Sequence, residues 1–194
     1  VVETECNVFA TETMPEKDVM KARKYVVLMD AILREEPISE IFYYLDSKKI
    51  KRSNLTMKMI NTLDDAPSDI NQSLNEYIES LYEENFDNED EVFKYVEKNK
   101  NDYINGKKGG DLLRYSQKLW IDNFDSMIEW IFKSLKSVCS EIRNNEIELK
   151  NIRSFVHCLY FDRSKNFNNE PVIEHVFDYN IIEWIKNYKS IDIS

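Results

Sequence analysis

Apolar residues recur at steps of three and four along most of the chain, which is the spacing of an amphipathic helix. The first helix is predicted to begin at Thr13-Met-Pro-Glu16, whose spacing is that of a capping box, and to run to about Arg34. The apolar stripe of this amphipathic helix, expected to face the core of the protein, consists of Val19, Ala22, Tyr25, Val26, Met29 and Leu33. Further stripes predict helices that begin after Pro37, at Ser53, after Pro67 and after the acidic run at 87–91.

The longest periodic stretch covers residues 112–142 and predicts one long helix, or two helices with a kink near 122–125. The side chains expected to be buried within it include Leu119, Phe124, Ile131 and Leu135.

The clearest loop signal, Gly106-Lys-Lys-Gly-Gly110, precedes this stretch, and Asp111 is expected to cap the helix that follows. Another helix is predicted over 146–160. A short last helix, IIEWIKNY, is expected to be capped by Asp178 or Asn180.

Two stretches alternate between apolar and polar residues as half-buried strands do, residues 2–8 and 172–177. An isolated strand leaves backbone groups without partners, so the two are expected to pair as a ribbon against the helices. The covered face would carry Val2, Val8, Val172 and Val176. The predicted fold is a single mostly α domain over 1–194, a multi-helix bundle with a minor two-stranded β element formed by the chain ends.

Composition restricts the possible partners. The formal charge of −10 opposes general nucleic-acid binding, which relies on cations that face phosphates. Apolar runs reach only about five residues, so the sequence predicts no membrane span. The three cysteines, Cys6, Cys139 and Cys158, are an odd number at wide spacing, which favours reduced thiols in the cytoplasm.

None of the usual arrangements of reactive groups is present in the sequence. His157 and Cys158 are adjacent on a predicted helix, so their side chains diverge by about 100° and do not form a catalytic pair. His175 is isolated on a predicted strand, and the loop at 106–110 lacks the spacing of a phosphate-binding P-loop. We therefore assign no catalytic, cofactor-binding or metal-binding residue.

Aromatic residues leave one alternative open. They could line a ligand pocket, or they could belong to the core, which is more usual at helical spacing. The residues concerned are Tyr115, Trp120, Trp130, Tyr179 and Trp184.

The two chain ends resemble one known family. VVETECNVFATETMPEKDVMKARKY is similar to the segment that follows the catalytic barrel in cobalamin-binding radical S-adenosylmethionine enzymes of the anaerobic magnesium-protoporphyrin monomethyl ester cyclase type. VFDYNIIEWIKN resembles the closing strand and short helix of the same proteins. The residues that match are Thr11, Thr13, Met14, Glu16, Asp18, Ala22 and Arg23 at one end, and Phe177-Asp178-Tyr179-Asn180 with Trp184 at the other.

This resemblance implies that the chain is a C-terminal fragment, an expectation that the absence of a leading methionine favours. The implied role is an accessory helical domain, not catalytic alone, that packs on the barrel of the same chain and covers or shapes its substrate site. The iron–sulfur cluster, S-adenosylmethionine and cobalamin would belong to the longer protein, because the Cys-x-x-x-Cys-x-x-Cys motif of the family is absent from this sequence.

Two other readings remain open at the level of sequence. The chain could be a free-standing α-helical interaction or regulatory module, or a small-ligand binder that uses its aromatic stripe. A longer gene with the cysteine motif upstream of Val1 would favour the accessory domain over the free-standing module.

Overall fold

The computed structural model describes residues 9–34, 38–110 and 112–165, together with 174, 176–178, 180, 182–183 and 186–187. Over these residues the protein is mostly helical, as the sequence predicts. The helices in chain order are α1 (Glu16–Arg34), α2 (Ser39–Ser47), α3 (Arg52–Asn61), α4 (Ser68–Glu83), α5 (Glu89–Lys98), α6 (Lys100–Ile104), α7 (Leu112–Val138), α8 (Ser140–Asn144) and α9 (Glu146–Lys165). A short 3₁₀ turn, Leu63–Asp65, lies between α3 and α4.

Helix α7 is the centre of the packing. It lies against α1, α3 and α4, and it also contacts α8 and α9. The predicted burial of Leu119, Ile131 and Leu135 is confirmed, whereas Phe124 is only half-buried. The buried side chains form one cluster that extends from Val27 in α1 to Val156 in α9.

Of the two alternatives that the sequence leaves open for the longest helix, the structure shows the kinked one. Asn123 has φ −125° and ψ 31°, values outside the helical range, in the middle of α7. Its amide Nδ2 donates a hydrogen bond of 2.8 Å to the hydroxyl of Ser73 on α4. The residue at which α7 leaves helical geometry is therefore the same residue that binds α4.

The start of α1 differs from the predicted capping box. Glu16 does not reach back to Thr13 but accepts a hydrogen bond of 2.6 Å from the hydroxyl of Tyr82 at the end of α4. The turn before the helix is closed by Thr11, whose hydroxyl accepts from the backbone N–H of Met14 at 3.0 Å. A long-range partner for the carboxylate has replaced the local one.

The apolar stripe predicted on α1 faces the core only in part, since Val19, Ala22 and Tyr25 are half-buried. Val26, Met29 and Leu33, expected to be buried, are exposed. The buried side chains on α1 are Met20, Val27, Leu28, Ala31 and Ile32. Both sets recur at helical spacing, so periodicity alone does not distinguish the two faces.

The predicted β ribbon is not seen. Residues 2–8 lie outside the described residues, as do Val172, Ile173 and His175, and the described part of the chain contains no strand. Val176, expected on a covered face, is 87% exposed, so its predicted burial is wrong. Two residues further on, Asp178 is hydrogen-bonded to α9, so this part of the chain contacts a helix.

The contact between Asp178 and α9 is made by Asn151, which is buried. The backbone N–H of Asp178 donates to Asn151 Oδ1 at 2.9 Å, and Asn151 Nδ2 donates to the Asp178 carboxylate at 2.9 Å. Of the two predicted caps for the last helix, Asn180 accepts from the backbone N–H of Glu183 at 3.2 Å. Ile182, Glu183, Lys186 and Asn187 are helical.

Candidate functional site

The cysteines and histidines lie apart from any recognisable reactive centre in the described residues. Neither Cys139 nor Cys158 forms a disulfide, and both are half-buried. His157 Nε2 lies 3.5 Å from Asp125 Oδ1, and its ring meets Phe124 edge-on at 5.1 Å. Within the described ranges, no three His, Cys, Asp or Glu side chains are grouped so that they could hold a metal ion. Cys6 and His175 lie outside those ranges.

The aromatic residues that can be located belong mainly to the core. Trp120 and Trp130 are buried, and Trp120 Nε1 donates a hydrogen bond of 2.9 Å to the backbone carbonyl of Ala31. Tyr115 is half-buried and packs on Tyr77 with ring centroids 5.0 Å apart. These contacts favour the core over the pocket as the role of the stripe. Tyr179 and Trp184 lie outside the described residues.

A shallow groove with a volume of about 610 Å³ runs along the exposed side of α4. Its lining is polar and includes Asn75, Glu76 and Glu79. Lys118 donates to Glu76 and holds the pKa of that carboxyl below its usual range, while Lys24 donates to Asn75. Glu76 and Asn75 thus accept hydrogen bonds from lysines on α7 and α1. We interpret the groove as a solvated helix face with surface ion pairs.

A dense group of titratable side chains surrounds the loop at 106–110. Glu84 Oε1 accepts hydrogen bonds from the hydroxyl of Tyr103 at 3.1 Å and from the backbone N–H of Gly109 at 3.0 Å. Lys108 Nζ donates to Glu83 Oε2 at 2.9 Å and to the hydroxyl of Tyr95 at 2.7 Å. We call these five residues, Glu83, Glu84, Tyr95, Tyr103 and Lys108, the loop lock.

Two side chains of the loop lock, Tyr103 and Lys108, have raised pKa values. Partial burial, together with the charge and hydrogen bond of Glu84, raises the pKa of Tyr103 to about 12. Hydrogen bonds to Tyr95 and Glu83 raise the pKa of Lys108 above its ordinary value. Both groups keep their protons at neutral pH, so neither provides a base or a nucleophile there. The hydrogen bonds from Lys108 and Gly109 to Glu83 and Glu84 fix the loop at 106–110 to the end of α4.

Sequence reasoning missed the loop lock. The sequence pattern indicates solvated surface charges at Glu83 and Glu84, and Lys108 lies 25 residues from Glu83 along the chain. Only the fold brings them together.

An exposed apolar surface lies on α1 and α7. Val26, Met29 and Leu33 form a stripe along α1, and Leu113 and Ile121 are exposed on α7. Ile121 is 78% exposed and Leu33 is 54% exposed, although both belong to helices whose other sides are buried. We call these five residues the α1–α7 face.

A buried polar contact joins the two helices beside this surface. The hydroxyl of Ser116 donates a hydrogen bond of 2.8 Å to Asp30 Oδ2, and both side chains are buried. On α1, Val26 and Leu33 each lie about one turn from Asp30, and on α7 Leu113 lies one turn before Ser116. This contact forms a seam between α1 and α7, and Val26, Leu33 and Leu113 lie about one turn from it, whereas Ile121 lies further along α7. Sequence reasoning missed Asp30 and Ser116, because their pairing depends on how α1 and α7 pack.

Compared with known protein families, with curated proteins and with solved structures, the chain gives no match. Any functional assignment therefore rests on the residues and their arrangement. No helix in the described part of the chain has both the length and the apolar character needed to cross a bilayer.

Proposed function

We propose that this chain is an accessory helical domain that docks onto another protein unit through the α1–α7 face and is not catalytic alone. The observation that carries the proposal is the two-sided apolar character of α1. One side supplies Val27, Leu28 and Ile32 to the core, and the other presents Val26, Met29 and Leu33 to solvent.

A helix that is apolar on both sides is normally covered on both sides. Single exposed apolar residues are ordinary, but a stripe on one helix beside further apolar residues on a neighbouring helix is typical of an interaction surface. The adjoining seam is fixed by the hydrogen bonds of Ser116 and Trp120 to α1. The surface is therefore presented by helices that are already packed, which lowers the entropic cost of binding.

The resemblance of the chain ends supports a particular partner, the catalytic barrel of a cobalamin-dependent radical S-adenosylmethionine enzyme in the same chain. On this proposal the domain packs on the barrel and shapes the substrate site. The iron–sulfur cluster, S-adenosylmethionine and cobalamin would all be held by the preceding part of that protein, in the cytoplasm.

The sequence of the gene upstream of Val1 tests the identity of the partner. The proposal expects an open reading frame that continues upstream and encodes a Cys-x-x-x-Cys-x-x-Cys motif. A start codon immediately before Val1 would contradict the radical-enzyme assignment. It would leave the docking surface to serve a separate protein, as in a free-standing interaction module.

A charge-introducing substitution tests the surface itself. Met29→Asp in the isolated domain places a carboxylate in the α1–α7 face, and we expect this variant to bind the separately produced remainder of the protein at least about tenfold more weakly than the unchanged domain does. Ile104→Asp is the matched control, since Ile104 is 70% exposed on α6. Equal binding by both variants, with helical content unchanged, would refute docking through this surface.

A further inference from the structure

Helices α5 and α6 differ from the helices that build the core. None of the residues of α5 or α6 is buried, whereas α4 alone buries Ile70, Ser73, Leu74 and Tyr77. The two short helices contact each other, and neither packs broadly on another helix. We call residues 89–104 the arm. It adds little to the common core.

Local hydrogen bonds hold the arm together as a unit. Asn88 Oδ1 accepts from the backbone N–H of Glu91 at 3.1 Å, and Asn88 Nδ2 donates to the Glu91 carboxylate at 3.0 Å. These two bonds cap the start of α5. At the junction with α6, Asn99 Nδ2 donates to the carbonyl of Tyr95 at 2.8 Å. The arm therefore retains local stabilisation that does not depend on the rest of the protein.

The loop lock supplies much of the attachment of the arm to the body. Tyr103 of the arm is bound by Glu84, which follows the last residue of α4. Tyr95 of the arm is bound by Lys108 and packs on the ring of Phe86 at 4.9 Å. These polar bonds and the ring contact hold an arm in which no residue is fully buried, although Val92 and Val96 are half-buried.

The loop at 106–110 is the second connection of the arm to the body, after the one at Asn85. Gly106 and Gly109 have φ of +66° and +73°, a region that L-residues rarely adopt. A side chain at Gly109 would lie 2.9 Å from the ring of Tyr103, so the glycine lets the backbone close onto the lock. Around Gly106 a side chain would meet open space.

We infer that the arm opens away from the body as a single unit, about connections at Asn85 and at the loop 106–110, with Glu84 as the residue that holds it closed. Opening releases Tyr103 and Gly109 from Glu84 and uncovers the last turn of α4. Segments with few buried contacts open at a lower free energy than the core, which makes this motion a sub-global one.

Hydrogen exchange on the whole chain tests the inference. Backbone amides of 89–104 should exchange faster than those of α4 and α7. Tyr103→Phe removes one bond of the lock and should accelerate exchange in 89–104 by roughly fivefold, while α4 and α7 keep their rates. Tyr82→Phe is the matched control, because Tyr82 binds Glu16 outside the lock and should leave the arm unchanged.

A pair of glycine substitutions separates the lock from general backbone strain. Gly109→Ala and Gly106→Ala both place alanine at positive φ, but only the first brings a methyl group against Tyr103. We expect Gly109→Ala to accelerate exchange in the arm more than Gly106→Ala does. The inference is overturned if wild-type 89–104 is as protected as α7, or if Tyr103→Phe accelerates exchange equally throughout the chain.

Discussion

The amide of Asn123 and the hydroxyl of Ser73 form a buried hydrogen bond of 2.8 Å across α7 and α4, at the residue where α7 leaves helical geometry. A second contact follows one turn later, where the hydroxyl of Ser126 donates to the carboxylate of Asp69 at the start of α4. The kink and the α4–α7 packing are therefore linked through polar side chains.

Removing the side-chain amide of Asn123 should destabilise the protein. We expect Asn123→Ala to lower the free energy of unfolding by about 1–3 kcal/mol, because the hydroxyl of Ser73 stays buried without its donor. Urea unfolding measures this effect, with Asn101→Ala on the exposed surface of α6 as the control. If the bond is responsible, adding Ser73→Ala should cost less than the sum of the two single changes. Strict additivity would argue against it.

The centre of the core offers a direct comparison within one helix. Leu135 of α7 is fully buried, whereas Leu113 of the same helix is 42% exposed. Leu135→Ala should lower the free energy of unfolding by about 2–5 kcal/mol through lost burial and the cavity left behind. Leu113→Ala should cost much less in the same urea experiment. Similar costs at both sites would contradict the assignment of the core.

The loop lock predicts a loss of stability in alkali. The pKa of Tyr103 is raised to about 12 in the folded protein from an ordinary value of 10.0. The folded state therefore holds this proton more tightly than the unfolded state does. The resulting stability is fully present below pH 10 and is lost as the pH rises from 10 towards 12. Absorbance titration of the tyrosines should show a late ionisation that is missing in Tyr103→Phe; an unchanged titration curve would contradict this.

The contact of Asp178 with α9 predicts a change at acid pH. Hydrogen bonds from Asn151 and then from Lys150 hold the pKa of Asp178 below its ordinary value of 3.8. The stabilising contribution is therefore present above pH 3.8 and disappears as the pH falls through the lower folded value. Carboxyl chemical shifts report this pKa, and Asn151→Ala should return it towards 3.8. Lys150→Gln should produce a smaller shift in the same direction, and no shift in either variant would exclude the contact.

The sequence by itself determined where most of the described helices lie. The end of α1 at Arg34 and the start of α9 at Glu146 agree with the predicted positions. The kink of α7 at Asn123 falls within the predicted window. These features depend on the spacing of apolar residues and on helix-breaking residues nearby, and both are local properties of the chain.

On α1, only the tertiary structure decided which face is covered. Val26 and Val27 are adjacent valines in α1, yet the first is exposed and the second is buried in the core. The same applies to Glu84, whose carboxylate binds Tyr103 rather than water only because the arm folds back on the end of α4. Helical periodicity gives the angle between side chains but not the direction from which a neighbouring helix approaches. That direction is set by long-range packing around α7, which no local pattern in the sequence encodes.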